Sequence, residues 1–172
     1  MRLAAHLLFT YPGVSWIYYG EELGMSGTKP DPNIRQPFKW SNDSAYNTVG
    51  KSQGIYNWNA YNRNLEGVYE QLQDEDSLLN LYRDLIALKQ GNQVLRQGDF
   101  QAYDTNDDRV LGFTRSYSDT TYLILHNLSN SERILNHELS MIETIYQSGV
   151  FTYNGSEITL PPYTSVIIEI NP

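Results

Sequence analysis

The chain has 172 residues, of which 40% are hydrophobic and 19% charged, as expected of a folded protein with one medium or two small domains. Its formal net charge is −8, from 12 basic and 20 acidic residues, so it lacks the basic face that nucleic acids and anionic membranes require. The absence of cysteine excludes disulfides and thiolate metal sites. We therefore expect a neutral ligand and neither a nucleic-acid nor a membrane partner.

The first ten residues are predicted to form the end of a helix. Leu3, Leu7 and Leu8 lie on one helical stripe, which Pro12-Gly13 terminates. The segment superficially resembles a signal peptide but lacks the small-residue cleavage pattern that should follow. No apolar run approaches the roughly 20 residues of a membrane-spanning helix, so we expect no membrane anchor. The cytoplasm and secretion both stay open as locations.

The next segment is a short, almost wholly apolar run, Val14 to Tyr19. Continuous apolarity is typical of a strand that is buried on both faces, as in a parallel sheet. Trp16 is accordingly expected to pack in the interior. A helix, a tight turn and a buried strand make up one step of an α/β fold.

A long loop is predicted from Gly20 to about Asn64, because glycine, proline, asparagine and tyrosine are frequent there. Loops of this length in compact domains are usually either functional or disordered, and the many aromatic residues favour function. A helix follows, with N-cap oxygens at Asp74 to Ser77 and a leucine stripe from Leu78 to Leu88. Lys89 and Gly91 mark its end.

Beyond Gly98 the pattern changes to short strands separated by turns, without helices between them. Strands are predicted at 100–103, 110–117, 121–127, 132–135, 144–147, 150–153, 156–160 and 165–170. Asn154-Gly155 indicates a type I′ hairpin. This spacing predicts an antiparallel sandwich, and the domain boundary is expected between residues 96 and 99.

Four segments, in this order, resemble the α-amylase family of glycoside hydrolases (family 13). The segment from Tyr11 to Met25 resembles the passage from the seventh helix to the eighth strand, and Ile34 to Trp40 resembles the element that follows that strand. Asp76 to Leu88 is similar to the eighth barrel helix. Val110 to Arg115, followed by His126 to Asn130, is similar to the C-terminal sandwich.

The resemblance implies an α/β segment, the last strand and flanking helices of a TIM-type barrel, followed by an all-β antiparallel Greek-key sandwich. Residues 1–98 would hold the end of helix 7, strand 8, a long loop and helix 8, and residues 99–172 the sandwich. The family's nucleophile, acid/base and assisting carboxylate come from earlier strands, and none of their motifs occurs in this sequence. The chain is therefore expected to be a C-terminal, inactive portion of an enzyme acting on starch or malto-oligosaccharides.

The substrate-binding residues that the resemblance suggests follow the last strand: Arg35, Trp40, Tyr19, Glu21 and Glu22. The two glutamates are neighbours leaving a strand, so their side chains should point to opposite faces, and an orienting role such as pairing with Arg35 is favoured over catalysis. Arg35 could contact sugar hydroxyls or anchor its loop. Stacking on glucose rings or packing within the loop are both open for four aromatic residues, Trp40, Trp58, Tyr46 and Tyr56.

No metal or cofactor is expected, because no pair of histidines has ligand spacing; His6 is interpreted as an interior or edge residue. The expected partners are an α-glucan and either the missing N-terminal barrel portion or a second copy of the chain. Reaction specificity, between hydrolysis, transglycosylation and isomerisation or between 1,4 and 1,6 linkages, is open. The alternatives are a non-catalytic carbohydrate-binding or structural module and one half of a split enzyme.

Overall fold

The computed structural model of the chain describes residues 1–43, 45 and 62–171. The chain divides into two compact units. The first comprises Met1–Arg2 and Trp16–Leu85, and the second Leu3–Ser15 and Ile86–Pro172. The division of the sequence at residue 98 into barrel and sandwich domains stays a prediction.

Five helices occur in the described part of the chain. They are α1 (Arg2–Thr10), α2 (Asp31–Ile34), α3 (Val68–Gln73), α4 (Leu78–Gly91) and α5 (Gln93–Gln97). The two predicted helices correspond to α1 and α4. The Oγ of Ser77 accepts the backbone N–H of Asn80 at 3.1 Å, which satisfies one of the free donors at the start of α4, as the capping prediction requires. None of these helices is long and apolar enough to cross a membrane.

Among the residues that the structure describes, eight strands form two antiparallel sheets, and each coincides with a predicted strand to within a few residues. They are β1 (Asp99–Tyr103), β2 (Val110–Tyr117), β3 (Thr120–Asn127), β4 (Arg133–Asn136), β5 (Met141–Gln147), β6 (Thr152–Tyr153), β7 (Glu157–Leu160) and β8 (Ser165–Ile170). The order is β1-β2-β3-β8-β5 in the larger sheet and β4-β7-β6 in the smaller one. The chain passes from β3 to β4 and back to β5 between sheets, which gives the predicted sandwich.

The larger sheet is covered on both faces. Alternate residues of β2, β3 and β8 face β4 and β7 in one core: Val110, Leu123, Leu125, Leu135, Ile158, Leu160, Val166, Ile168 and Ile170. The intervening residues form a second core with α5: Val94, Leu95, Phe113, Tyr122, Ile124 and Ile167. Runs of consecutive apolar residues, Tyr122 to Leu125 in β3 and Val166 to Ile168 in β8, therefore occur in antiparallel strands of this sheet.

The turn between β6 and β7 differs from the type I′ prediction. The N–H of Asn154 donates to the carbonyl of Glu157 at 3.2 Å, so the central residues are Gly155 and Ser156. Gly155 has φ 101°, whereas Ser156 does not have a positive φ. A type I′ turn requires positive φ at both central residues, so the prediction was wrong in turn type but right in placing a hairpin here. The side chain of Asn154 explains the shift, because its Oδ1 accepts the N–H groups of Ser156 and Glu157 at 3.1 and 2.9 Å.

The segment from Val14 to Tyr19, predicted to be a buried strand, is not a strand in the structure. Val14 is 79% exposed and Trp16 is 82% exposed, so Trp16 does not pack in an interior. A parallel strand obtains its hydrogen bonds and its cover from neighbouring strands and helices. No strand in the described residues pairs with this segment, and its apolar side chains therefore lie at the surface.

Helix α1 and the larger sheet belong to the same unit and are joined by buried polar contacts. Arg115, on β2, donates from Nε and Nη2 to the carbonyl of Gly98 at 3.0 and 2.9 Å, and from Nη1 to that of Thr10 at 3.2 Å. The two carbonyls lie at the C-terminal ends of α5 and α1, where the helix dipole favours a cation. Burial lowers the pKa of Arg115, partly offset by the charge of Asp99.

His126, on β3, is completely buried in the same region. Its Nδ1 lies 2.7 Å from the Oγ of Ser165, and its Nε2 lies 3.1 Å from the Oγ1 of Thr10. Burial, and next the charge of His6, lower the pKa of His126 to about 3. The imidazole is therefore neutral in the folded protein at ordinary pH.

Candidate functional site

A tight turn follows Tyr19. The N–H of Gly24 donates to the carbonyl of Glu21 at 3.0 Å, and the N–H of Met25 donates to that of Gly20 at 2.8 Å. Gly20 has φ 89°, and a Cβ there would lie 2.8 Å from the Sδ of Met25, so glycine is required by both conformation and space. The turn brings the Oε2 of Glu21 to 3.1 Å from the backbone N–H of Tyr18.

Two buried amide side chains hold the segment that follows this turn. The Nδ2 of Asn62 donates to the carbonyl of Ser26 and to the Oε1 of Gln36, at 2.9 and 3.0 Å. Its Oδ1 accepts the N–H of Ser26 at 2.9 Å. Because Gln36 and Asn62 are themselves buried, these hydrogen bonds fix the positions of both side chains relative to the turn.

The turn and the amide pair border a cavity of about 300 Å³, near the lower limit of small-molecule sites. Its lining includes Tyr18, Tyr19, Glu21, Asn33, Gln36 and Asn62. The wall therefore combines aromatic rings with a carboxylate and amide groups. Such a surface offers both an apolar face and hydrogen-bonding groups to a neutral polar ligand.

The aromatic residues beside the cavity form a continuous row. Tyr19 stacks on Phe38 with ring centroids 6.2 Å apart and an interplanar angle of 28°. Phe38 in turn contacts Trp40, with centroids 5.5 Å apart. The row connects two of the predicted site residues, Tyr19 and Trp40, although Trp40 does not line this cavity.

The two glutamates differ in position. Glu21 lines the cavity, whereas Glu22 is not among the lining residues, and its Oε2 is buried with no hydrogen-bond partner in the described part of the chain. Burial raises the pKa of the Tyr82 phenol, and the negative charges of Glu21 and Glu22 raise it further.

Arg35 forms an ion pair with Asp31, with its Nη2 2.9 Å from Oδ2. Helix α2 explains this pairing, since residues four apart lie on the same helical face. The alternative pairing of Arg35 with Glu21 or Glu22 is not found among the ion pairs of the described residues. Both partners are exposed, and Arg35 is not among the lining residues of the cavity, although Ile34 and Gln36 on either side of it are.

Three of the aromatic residues considered for stacking, Tyr46, Tyr56 and Trp58, lie outside the described residues. Within the described ranges, no group of three or more histidine, aspartate or glutamate side chains could hold a metal ion. Sequence reasoning missed Gln36 and Asn62, because two amides 26 positions apart carry no local signal of their pairing.

Comparison with known proteins identifies the family. Residues 1–98, more than half of the chain, match the family model described as the α-amylase catalytic domain. The chain belongs to the α-amylase family. Residues 110–167 match a second model of that group, the C-terminal domain of the α-amylase SusG.

Individual members of the α-amylase family align with almost the whole chain. Alpha-amylase 3 of Dictyoglomus thermophilum is 32% identical over 98% of this chain and 34% of its own length. The 4-alpha-glucanotransferase of Thermotoga neapolitana is 31% identical over 78% of the chain and 30% of its own length. The crystal structure of an α-amylase from H. orenii has a TM-score of 0.79 at 30% identity, covering 98% of this chain and 35% of that one.

These matches confirm the predicted family and fold class, the last part of a TIM-type barrel followed by a β-sandwich. The chain spans about a third of the length of Alpha-amylase 3 and of the H. orenii α-amylase. The relatives' names include both a hydrolase and a transferase acting on glucans, so the family alone does not specify the reaction.

Proposed function

We propose that the chain is the C-terminal part of an α-amylase-type hydrolase that acts on α-glucans, with starch or malto-oligosaccharides as substrate of the complete enzyme. The observation that carries the proposal is the cavity lined by Tyr19 and Glu21, directly after the segment that resembles the eighth barrel strand. In TIM-type barrels the active site is built from the loops at the C-terminal ends of the strands.

The lining supports a sugar ligand in particular. The ring of Tyr19 offers an apolar face to the C–H groups of a pyranose, and the carboxylate of Glu21 accepts hydrogen bonds from hydroxyls. Asn33 supplies a further amide at the wall. A neutral polyol also suits a chain with a formal net charge of −8, which disfavours anionic ligands.

Arg35 and Trp40 have supporting roles in this proposal. Arg35 stands beside the cavity on a short helix, where its fork of five donors could reach sugar hydroxyls beyond the wall. Trp40 extends the aromatic row that begins at Tyr19. Glu22, which does not line the cavity, has an orienting role near Tyr82.

The chain by itself is proposed to be inactive. Retaining glycosidases need two carboxyl groups about 5 to 5.5 Å apart on either side of the scissile bond. Glu21 is the one carboxylate of the described residues that lines the cavity, and Glu22 does not join it there. The remaining carboxylates would come from the rest of the barrel.

The exposed run from Val14 to Tyr19 supports a partner for this part of the chain. Side chains such as Val14 and Trp16 are more exposed than large apolar groups usually are, and the proposed partner is the N-terminal barrel portion, or in its absence a second copy. Reading the DNA upstream of the Met1 codon decides whether an open frame encodes that portion.

The test of the proposed function has two arms. In the first, the purified chain is assayed for reducing-sugar release from starch, maltotriose and a nitrophenyl maltoside, and we expect none. Activity that survives repurification and disappears in Glu21→Gln would refute the proposal that this part is inactive.

In the second arm, Tyr19→Ala and Arg35→Ala are made in the complete enzyme. If the side chains contact sugar, kcat/KM falls by roughly 10- to 100-fold while the melting temperature is nearly unchanged. If Arg35 only anchors its loop, stability falls together with activity. Binding of malto-oligosaccharides without an upstream barrel-coding frame would instead favour the carbohydrate-binding module.

A further inference from the structure

A second, larger cavity lies within the first unit, between the segment around Trp40 and helix α3. It has a volume of about 610 Å³, and its lining includes Trp40, Ser41, Asp43, Tyr69, Glu70 and Leu72. None of these residues lines the cavity beside Tyr19. Only Trp40 among them was singled out from the sequence.

Two aromatic side chains stand at the mouth of this cavity. Trp40 is 54% exposed and Tyr69 is 64% exposed, although both are large and mainly apolar. Their backbones are joined directly, since the N–H of Tyr69 donates to the carbonyl of Trp40 at 2.9 Å. The neighbouring N–H of Val68 donates to the carbonyl of Lys39, also at 2.9 Å. These two hydrogen bonds hold the backbones of the two aromatic residues side by side.

The close approach between the backbone at Ser41 and the backbone at Gly67, just before α3, requires glycine at position 67. A Cβ at this position would lie 2.6 Å from the Cα of Ser41, so no larger residue fits between the two segments. Gly67 has an extended backbone conformation that any residue could adopt, and the requirement is therefore for space alone. The site is built on a fixed backbone arrangement, as precise ligand binding requires.

The polar part of the wall consists of hydrogen-bond acceptors. The Oε1 of Glu70 accepts the hydroxyl of Ser41 at 2.8 Å and the N–H of Asn42 at 2.9 Å. Its Oε2 is shielded from bulk water and has no hydrogen-bond partner in the described part of the chain. Glu70 lines the cavity, and a carboxylate is a hydrogen-bond acceptor for the hydroxyls of a ligand.

The charge of the site favours a neutral ligand over a cation. Burial raises the pKa of Glu70, but the hydrogen bonds from Asn42 and Ser41 and the charge of Lys39 outweigh this effect and hold it below its ordinary value. Glu70 is therefore ionised, and Lys39 already supplies a positive charge close to it. Anions are repelled by the carboxylates of Glu70 and Asp43, and a hydroxyl-rich, uncharged molecule fits what remains.

We infer that this cavity is a carbohydrate-binding site, in which Trp40 and Tyr69 stack on glucose units of an α-glucan and Glu70 accepts a sugar hydroxyl. The choice of an α-glucan among neutral sugars rests on the proposed function. Exposed aromatic rings beside acceptor oxygens match the two surfaces of a pyranose, its apolar C–H face and its hydroxyl edge.

The test is electrophoresis of the chain in native gels that contain amylopectin, with titration calorimetry against maltoheptaose. The wild-type chain is expected to be retarded by amylopectin. Tyr69→Ala and Trp40→Ala should abolish the retardation and weaken maltoheptaose binding roughly tenfold or more, whereas Tyr69→Phe, which keeps the ring, should retain most of it.

The matched control is Trp16→Ala, which removes an exposed ring that lines neither cavity. It should migrate like the wild type, and thermal unfolding should show that all variants are folded. Wild-type retardation in Tyr69→Ala, or no retardation of the wild-type chain, would overturn the inference. Loss of retardation in Tyr19→Ala together with wild-type retardation in Tyr69→Ala would place glucan binding at the first cavity, which overturns the inference and leaves the proposed function intact.

Discussion

Two mainly apolar runs of equal length differ in burial: one is exposed and the other lies in a core. Val14 to Tyr19 was predicted to be a buried strand and Ser165 to Ile170 to be a strand of the sandwich. The second is β8, the fourth of five strands in its sheet, with Val166, Ile167 and Ile168 almost inaccessible to water. The first is a surface segment with exposed side chains and no strand pairing in the described residues.

The difference lies in the neighbours and not in the runs themselves. β8 pairs with β3 on one edge and with β5 on the other, and a core covers each of its faces. In the part of the chain that the structure describes, Val14 to Tyr19 has no strand paired to either edge and no core over either face. An apolar run thus indicates which residues can be buried, whereas burial itself requires elements elsewhere in the fold.

The largest effect is expected from truncating an isoleucine in the buried run. Ile168→Ala removes a side chain from the core between the two sheets and should lower the free energy of unfolding by about 2 to 5 kcal/mol. The matched change Ile17→Ala, in the exposed run, should cost about 0.5 kcal/mol or less. Urea unfolding followed by circular dichroism measures both, and equal losses would contradict the comparison.

The stability of the fold should depend on pH through His126, which is buried and pairs with Ser165 at the start of β8. Its pKa is about 3 in the folded state against an ordinary value of 6.5, so the neutral form is favoured by folding. The stabilisation is complete above pH 6.5 and is lost as the pH falls towards 3, by about 1.4 kcal/mol per pH unit.

The measurement is urea unfolding at intervals between pH 7 and pH 4.5, for the wild type and for His126→Gln. His126→Gln lacks the hydrogen bonds of the imidazole and should be less stable at every pH. The part of the slope of unfolding free energy against pH that comes from His126 should vanish. An unchanged slope in the variant would show that other groups dominate the acid sensitivity.

A smaller effect is expected at Lys89, a cation that holds the beginning of the exposed run. The Nζ of Lys89 donates to the carbonyls of Tyr11 and Gly13 at 3.2 and 3.0 Å, and to the Oγ of Ser15 at 3.0 Å. Lys89→Met should cost about 1 kcal/mol, because these contacts are partly exposed. Lys29→Met, at an exposed lysine, serves as the control and should be neutral in thermal unfolding.

The smallest effect on stability should come from Trp16, the most exposed large side chain of the run. Trp16→Ser should change the free energy of unfolding by no more than about 0.5 kcal/mol. If the run mediates self-association, the same change should shift the chain towards the monomer in sedimentation velocity. An oligomer that is insensitive to this substitution would place the contact elsewhere.

The sequence predicts what local patterns specify. The eight described strands and the helices α1 and α4 follow from periodicity and turn residues, and the turn after Tyr19 lies within the loop that was predicted from Gly20 onward. The short helices α2, α3 and α5 were missed, although Pro32 near the start of α2 and Asn92, whose side chain caps α5, are ordinary start signals. A helix of one or two turns leaves little periodicity from which to recognise it.

The candidate sites were less accessible to prediction. Tyr19 and Glu21 were found through the family resemblance, and Trp40 through its aromatic ring. Gln36, Asn62, Tyr69 and Glu70 were not, because each acquires its position through a partner far along the chain. The pairing of Tyr69 with Trp40, for example, depends on one backbone hydrogen bond that no sequence pattern marks.

The contacts of Arg115 bear on where this polypeptide could be cut. A shortened chain that starts at residue 99 would contain all eight strands, yet it would discard the carbonyls of Thr10 and Gly98, to which the guanidinium donates. His126 would lose the hydroxyl of Thr10 as well. Two buried polar groups would then be left unsatisfied on the sheet face that α5 also covers. Excision of the sandwich should therefore retain α5, and α1 should be kept or supplied as a separate peptide.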